Sequence, residues 1–152
     1  MLEIGKYSGD IERIMPLLLL GDESEEMVRR YIFSGNIFVG TDDGRIIAVC
    51  VAVEDADGWI EIKNLAVSPL RQRQGIGSAM LTYVEMQYPG ERFRLGTGET
   101  PSTLLFYKSC GYHYSHSIKN FFIDNYDHPI VEDGIQLRDM LYLVKEPYQH
   151  LG

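Results

Sequence analysis

Covalent and rigid devices are scarce in this chain, whose 152 residues hold two cysteines, one tryptophan and six prolines. Cys50 and Cys110 are too few and too far apart for a disulfide framework, so reduced packing residues are expected. Long apolar runs are missing as well. The longest near the N-terminus, Ile14 to Leu20, contains Pro16 and is far shorter than the ~20 residues a membrane-spanning helix needs. Residues 1–10 lack the basic-then-apolar pattern of a secretory signal, which makes a cytoplasmic protein without a membrane partner the expectation. Basic charge is in short supply, with 14 Lys and Arg against 22 acids and a net charge of −8. That balance argues against nucleic acid as a partner and favours cationic substrates, although excess acid also serves solubility alone. Metal-ligand clusters are absent from the pattern. His113 and His116 stand three apart on a strand-like run, which turns them to opposite faces, and His128 and His150 fall in loop and tail.

What is present is an ordinary globular composition, 45% apolar and 24% charged, enough for one domain over residues 1–152 with a sizeable core. One short segment stands out in it. Gln72-Arg73-Gln74-Gly75-Ile76-Gly77 follows the apolar stretch Ile60 to Val67 and precedes Ser78-Ala79-Met80-Leu81. A strand, a tight turn and a helix start in that order aim unpaired N–H groups and the positive end of the helix dipole at one spot. Glycines there let the backbone come close to an anion, and a diphosphate is the natural guest. A Walker loop would need Gly-Lys-Ser/Thr, and a dinucleotide fingerprint would need a third glycine; neither requirement is met.

The rest of the chain alternates consistently. Leu2 and Ile4 begin a short strand, and helices are expected over Ile11 to Leu20 and from Asp22, with Glu25 as capping partner, to Ser34-Gly35. Three antiparallel strands follow, Ile37 to Val39, Ile46 to Val53 and Trp59 to Val67, the first two joined by the hairpin signal Thr41 to Arg45. A helix from Gln74 to Gln87, a strand over Phe93 to Leu95 and a helix from Pro101 to Ser109 come next. Two further strands are expected over Tyr112 to Ile123 and Gln136 to Val144, with the loop Asp124 to Gly134 between them. Gly96-Thr97-Gly98 reads as a turn or bulge rather than a second phosphate loop.

The glycine turn, with Asn64 to Pro69 before it, resembles motif A of the GNAT acetyltransferases, Gln/Arg-x-x-Gly-x-Gly/Ala. Leu105-Phe106-Tyr107-Lys108-Ser109-Cys110-Gly111-Tyr112 resembles their motif B, and the order of elements matches along essentially the whole chain. The segments Leu17 to Glu25 and Phe121 to Ile130 are similar to a bacterial subgroup labelled indole-acetic-acid acetyltransferase-like. The resemblance implies an α/β fold with a mixed, mostly antiparallel twisted sheet of about seven strands and four helices. It also implies acetyl-CoA as co-substrate, no metal, and transfer of an acetyl group to a primary amine of a small molecule or, less readily, a peptide or protein. Dimers through the C-terminal strands are common in that family.

Site residues carry over position by position. Leu65, Ala66 and Val67 match the strand whose backbone pairs with the pantetheine arm and polarises the thioester, and Gln72, Arg73, Gln74, Gly75, Ile76, Gly77 and Ser78 match the pyrophosphate turn. Arg71 and Arg73 either screen phosphate charge or are solvated arginines on a turn. Tyr107 matches the family's general acid near the sulfur, with helix packing as the alternative. Glu61, six residues before Val67, matches a catalytic glutamate and should share a strand face with Lys63 and Leu65. Its other reading is a strand glutamate facing solvent or paired with a lysine. Thr100 stands where motif B usually has a cofactor-touching Asn, a departure that leaves open a non-catalytic acyl-CoA-binding or sensing module of the same fold. Glu23, Glu25 and Glu26 suit the start of a helix. Tyr31, Phe33, Phe121, Phe122 and Tyr126 are read as core packing before acceptor walls.

Overall fold

The computed structural model describes residues 1–147, so His150 lies outside the described residues. The chain forms two compact units, Met1–Pro89 and the residues from Gly90 on. In the first, β1 (Leu2–Tyr7), β2 (Asn36–Asp42), β3 (Arg45–Glu54) and β4 (Ile60–Val67) make an antiparallel meander. The hairpin between β2 and β3 turns on Asp43 and Gly44, both at positive φ (51° and 76°), the backbone that two-residue hairpins require.

Helices α1 (Ile11–Gly21) and α2 (Glu25–Tyr31) bury Ile14, Met15, Leu18 and Val28 against Ile37, Val39, Val49, Val51 and Ala66. Each fully buried Leu or Ile in such a cluster is worth about 1.5–3 kcal/mol. The opposite face of the meander carries Phe38 and Gly40, which alternate with Ile37 and Val39. Helix α3 (Ile76–Met86) covers that face: Tyr83 meets the Phe38 ring edge-on at 6.1 Å, and a Cβ at Gly40 would lie 3.1 Å from Met80 Sδ. The start of α2 differs from the expectation. Asp22 caps the end of α1 and accepts from the Ser24 N–H, while Ser24 is the N-cap of α2 and accepts from Met27 N–H. Two cap-competent residues stand two apart, and with Asp22 closing α1 the start of α2 falls to Ser24.

In the second unit, β9 (Met140–Lys145) lies between β5 (Phe93–Gly98) and β6 (His113–Ile118), antiparallel to both. Gly96 and Gly98 are strand residues and not a turn. A Cβ at Gly96 would meet Met140 Sδ at 2.4 Å, and one at Gly98 would meet Leu137 Cδ1 at 2.5 Å, so close side-chain approach explains both glycines. Helix α4 (Pro101–Ser109) has the expected bounds and ends at Cys110-Gly111, with Gly111 at φ 94°. The expected strand Tyr112 to Ile123 stops at Ile118, because Asn120 at φ 58° opens the short helix α5 (Phe121–Asp124). The hairpin β7 (Val131–Glu132) and β8 (Ile135–Gln136) begins inside the expected loop and ends beyond it, and the last long strand begins at Met140 rather than Gln136.

Candidate active site

The turn after β4 is built by backbone. Ser68 N–H donates to Ile47 O at 2.8 Å, Arg71 N–H to Ser68 O at 2.8 Å, and Gln72 Nε2 to Val67 O at 3.1 Å. Arg73 and Gly75 both sit at positive φ, 62° and 78°. Gly75 is the N-cap of α3, so the helix starts with no side-chain cap and no acid in its first turn. Ala79 N–H is the first to reach back into the turn, to Gly75 O at 3.0 Å. The N–H groups of Gly75, Ile76, Gly77 and Ser78 have no acceptor among the described residues. A Cβ built on Gly75 meets nothing within 4 Å, which makes positive φ and open approach the reasons for glycine there. Four N–H donors without acceptors at an uncapped helix start, with the dipole behind them, suit an anion. Of the two arginines, Arg71 is committed elsewhere, with Nη2 2.6 Å from Asp42 Oδ2 and Nε 3.2 Å from Gln74 Oε1.

Strand β4 departs from strict alternation. Val51 pairs with Asn64 and Ala52 with Ile62, so Lys63 is an extra residue, a bulge. Glu61 pairs with Val53 and Asn64 with Val51, both of which belong to the core beneath α1 and α2. Glu61 therefore shares its face with Asn64 and Ala66, and Leu65 lies on the other. This corrects the expectation drawn from a regular strand. Glu61 is 6% exposed and Asn64 3%, an unusual pair of polar residues to bury side by side on a strand. The Glu61 carboxylate takes an ion pair from Lys63 Nζ at 2.6 Å, and the Lys63 side chain remains 35% exposed. Asn64 Nδ2 donates to Leu18 O at 2.8 Å and to Tyr31 Oη at 3.0 Å, tying the end of α1 and the last turn of α2 to the strand. Its Oδ1 has no hydrogen-bond partner among the described residues and lies against Gly21, where a Cβ would come close to it. Burial pushes the Tyr31 phenol well above its ordinary range, so that group stays protonated. The place of Asn64 beside Glu61 is not readable from spacing, because the bulge that aligns them leaves no mark in a period-two pattern.

In the second unit, Tyr107 is half-buried on α4, with its ring edge-on to Phe106 at 5.1 Å and to Tyr112 at 6.0 Å. Thr100 is the N-cap of α4 but makes no capping bond; it is fully buried, and its Oγ1 has no partner among the described residues. A cleft of about 610 Å³ between α4 and strands β6 and β9 is lined by Glu99, Leu104, Lys108, Tyr114 and Asp139 among others, and by neither Tyr107 nor Thr100. On β6 a second register shift, between Tyr114 and His116, pairs His113 with Val144 and His116 with Tyr142. The two histidines therefore share a face, contrary to the expectation, and His116 stacks on Tyr142 with ring centroids 4.9 Å apart. Among the described residues, no group of His, Cys, Asp and Glu is arranged to hold a metal ion, and no helix is long and apolar enough to cross a membrane. Cys50 is buried, Cys110 is partly so, and both are free thiols. Phe122 and Tyr126 pack in the core of this unit, whereas Phe33 is exposed.

The family model of the acetyltransferase (GNAT) domain matches residues 33–114. The chain belongs to the GNAT acetyltransferase family. An uncharacterized N-acetyltransferase of Bacillus subtilis, YvbK, is 30% identical over 146 residues, covering 93% of each chain. Among solved structures, a GNAT family acetyltransferase from Elizabethkingia anophelis with acetyl-CoA bound is 33% identical, with a TM-score of 0.87 over 95% of this chain and 97% of that one. An IAA acetyltransferase from Bacillus cereus is 30% identical, with a TM-score of 0.88 over 96% of this chain and 99% of that one. The GNAT fold expected from the element order is the observed one, with seven long strands and four long helices among the described residues.

Proposed function

We propose that this GNAT chain works as one acetyltransferase domain that moves the acetyl group of acetyl-CoA to a primary amine by direct attack on the thioester. The observation that carries the reading is the uncapped start of α3, where four backbone N–H groups have no acceptor among the described residues. Acetyl-CoA binding fits that helix start, because its pyrophosphate supplies the acceptors the N–H groups lack. When bound, the co-substrate supplies the activated acetyl group. Gln72, Arg73, Gln74, Gly75, Ile76, Gly77 and Ser78 hold the pyrophosphate, and the backbone of Leu65, Ala66 and Val67 orients the pantetheine arm and donates to the carbonyl oxygen. Thr100 takes the motif B position assigned to cofactor contact, and its Oγ1 has no partner among the described residues.

Transfer needs an amine without its extra proton and a proton for the departing sulfur. Glu61 takes the extra proton of the acceptor amine, directly or through water. Tyr107 gives the second from its phenol. The excess of acid over base agrees with a cationic acceptor. A cytoplasmic location, the absence of nucleic-acid and membrane partners, and a homodimer through the C-terminal strands belong to the same reading. Thiol release from acetyl-CoA in the presence of propylamine, phenethylamine, putrescine or Nα-acetyl-lysine tests it. Turnover of at least one amine is expected, with Tyr107→Phe slowing kcat by about two orders of magnitude. Full turnover by that variant removes Tyr107 from the chemistry.

A second reading, an acyl-CoA-binding or sensing module, is favoured by the carboxylate of Glu61 being held by Lys63 and by Thr100 standing in place of Asn. Tight acetyl-CoA binding without thiol release from any amine would select it.

A further inference from the structure

We propose that Lys63 is a resident competitor for the acceptor: its ammonium occupies the carboxylate of Glu61, and a cationic amine must displace it to reach the base. The proposal rests on Glu61 being the group that takes the acceptor's proton. Four observations converge on it. Lys63 is the extra residue of the β4 bulge, so its backbone is released from strict pairing with β3. Its Nζ lies 2.6 Å from Glu61 Oε2, the place an incoming ammonium would take. Glu61 is almost wholly buried, so the carboxylate has little surface on which to receive two cations at once. The Lys63 side chain is 35% exposed, so it can swing into water without breaking a packed core.

A primary ammonium and the lysine head present the same chemistry to the carboxylate, and occupancy by one excludes the other. Lys63 thereby sets a threshold of selectivity. An acceptor succeeds only if its contacts beyond the nitrogen outweigh the resident ion pair, whereas a neutral amine has no cation to exchange.

The experiment is steady-state thiol release by the full chain and by Lys63→Met, Lys63→Arg, Glu61→Gln and the Glu61→Gln, Lys63→Met double variant. The acceptors are propylamine, phenethylamine, putrescine and Nα-acetyl-lysine, with methoxyamine, uncharged at neutral pH, as comparison. Lys63→Met is expected to lower KM for the cationic amines about two- to fivefold, the worth of a partly exposed ion pair. It should leave KM for acetyl-CoA and for methoxyamine unchanged. Lys63→Arg keeps the competition and the wild-type KM, and in the Glu61→Gln background removal of Lys63 has no further effect. An unchanged KM for every cationic amine in Lys63→Met, an equal drop for methoxyamine, or no turnover of any amine by either protein overturns the proposal. Wild-type turnover in Glu61→Gln instead overturns the role of Glu61 itself, which separates failure of the base from failure of the competitor.

Discussion

Strands β4 and β6 carry the same backbone irregularity with opposite consequences. Each holds one extra residue, Lys63 in β4 and Ser115 in β6, and in each the shift brings two polar side chains three apart onto one face. On β4 that face lies beneath α1 and α2, so Glu61 and Asn64 are buried and every polar atom there has to find a partner or go without. On β6 all six residues are exposed, and His113 and His116 keep water as a partner. A change of register makes an unusual chemical environment only where something covers it.

The contrast can be broken first at Glu61 and His116. Glu61→Gln is expected to lower kcat for amine acetylation by about two to four orders of magnitude, the range for a positioned general base. His116→Ala, the counterpart on β6, should change kcat by less than about twofold, since nothing there is withheld from water. An equal loss in both variants, measured by thiol release, would erase the distinction between covered and open bulges. Gly21→Ala probes the cover itself. A methyl group so close to Asn64 Oδ1 cannot be accommodated without moving α1 or the amide, and a loss of about 1–3 kcal/mol in chemical denaturation is expected. The same change at Gly5, where a Cβ meets nothing within 4 Å, should be close to neutral.

The smallest effect is in alkaline solution. Burial raises the Tyr31 phenol, so the folded chain holds that proton after the unfolded chain has released it. Its contribution to stability is fully present below about pH 10, where an ordinary phenol ionises, and is lost as pH rises toward the folded value. Tyr31→Phe should flatten that alkaline decline. A decline of the same slope in the variant would show that other groups cause it.

Much of this architecture was legible in the chain. Helix α4 falls where Pro101 and Cys110-Gly111 place it, and the Asp43-Gly44 hairpin where its dipeptide does, because caps and tight turns are local chemistry. The uncapped turn at Gly75 was legible for the same reason. What could not be read is nonlocal. Gly96 and Gly98 pass for a turn until Met140 and Leu137 are seen pressing on them. A bulge adds a residue without a sequence signature, so strict alternation put Glu61 beside Leu65 and separated His113 from His116. The link from Asn64 to Leu18 and Tyr31 depends on where two helices lie over the strand, which no periodicity reports.

Pyrophosphate binding at the start of α3 is the central claim, and calorimetric titration of acetyl-CoA into the full chain and its Gly75→Asp variant tests it most directly. Aspartate can adopt the positive φ of that position and can cap α3 itself, so the variant should fold while placing a carboxylate where the pyrophosphate would sit. Wild-type binding that weakens by about two orders of magnitude in the variant, with unchanged circular dichroism, is the predicted result. Equal affinity in both folded proteins, or no binding by the wild type, would contradict it.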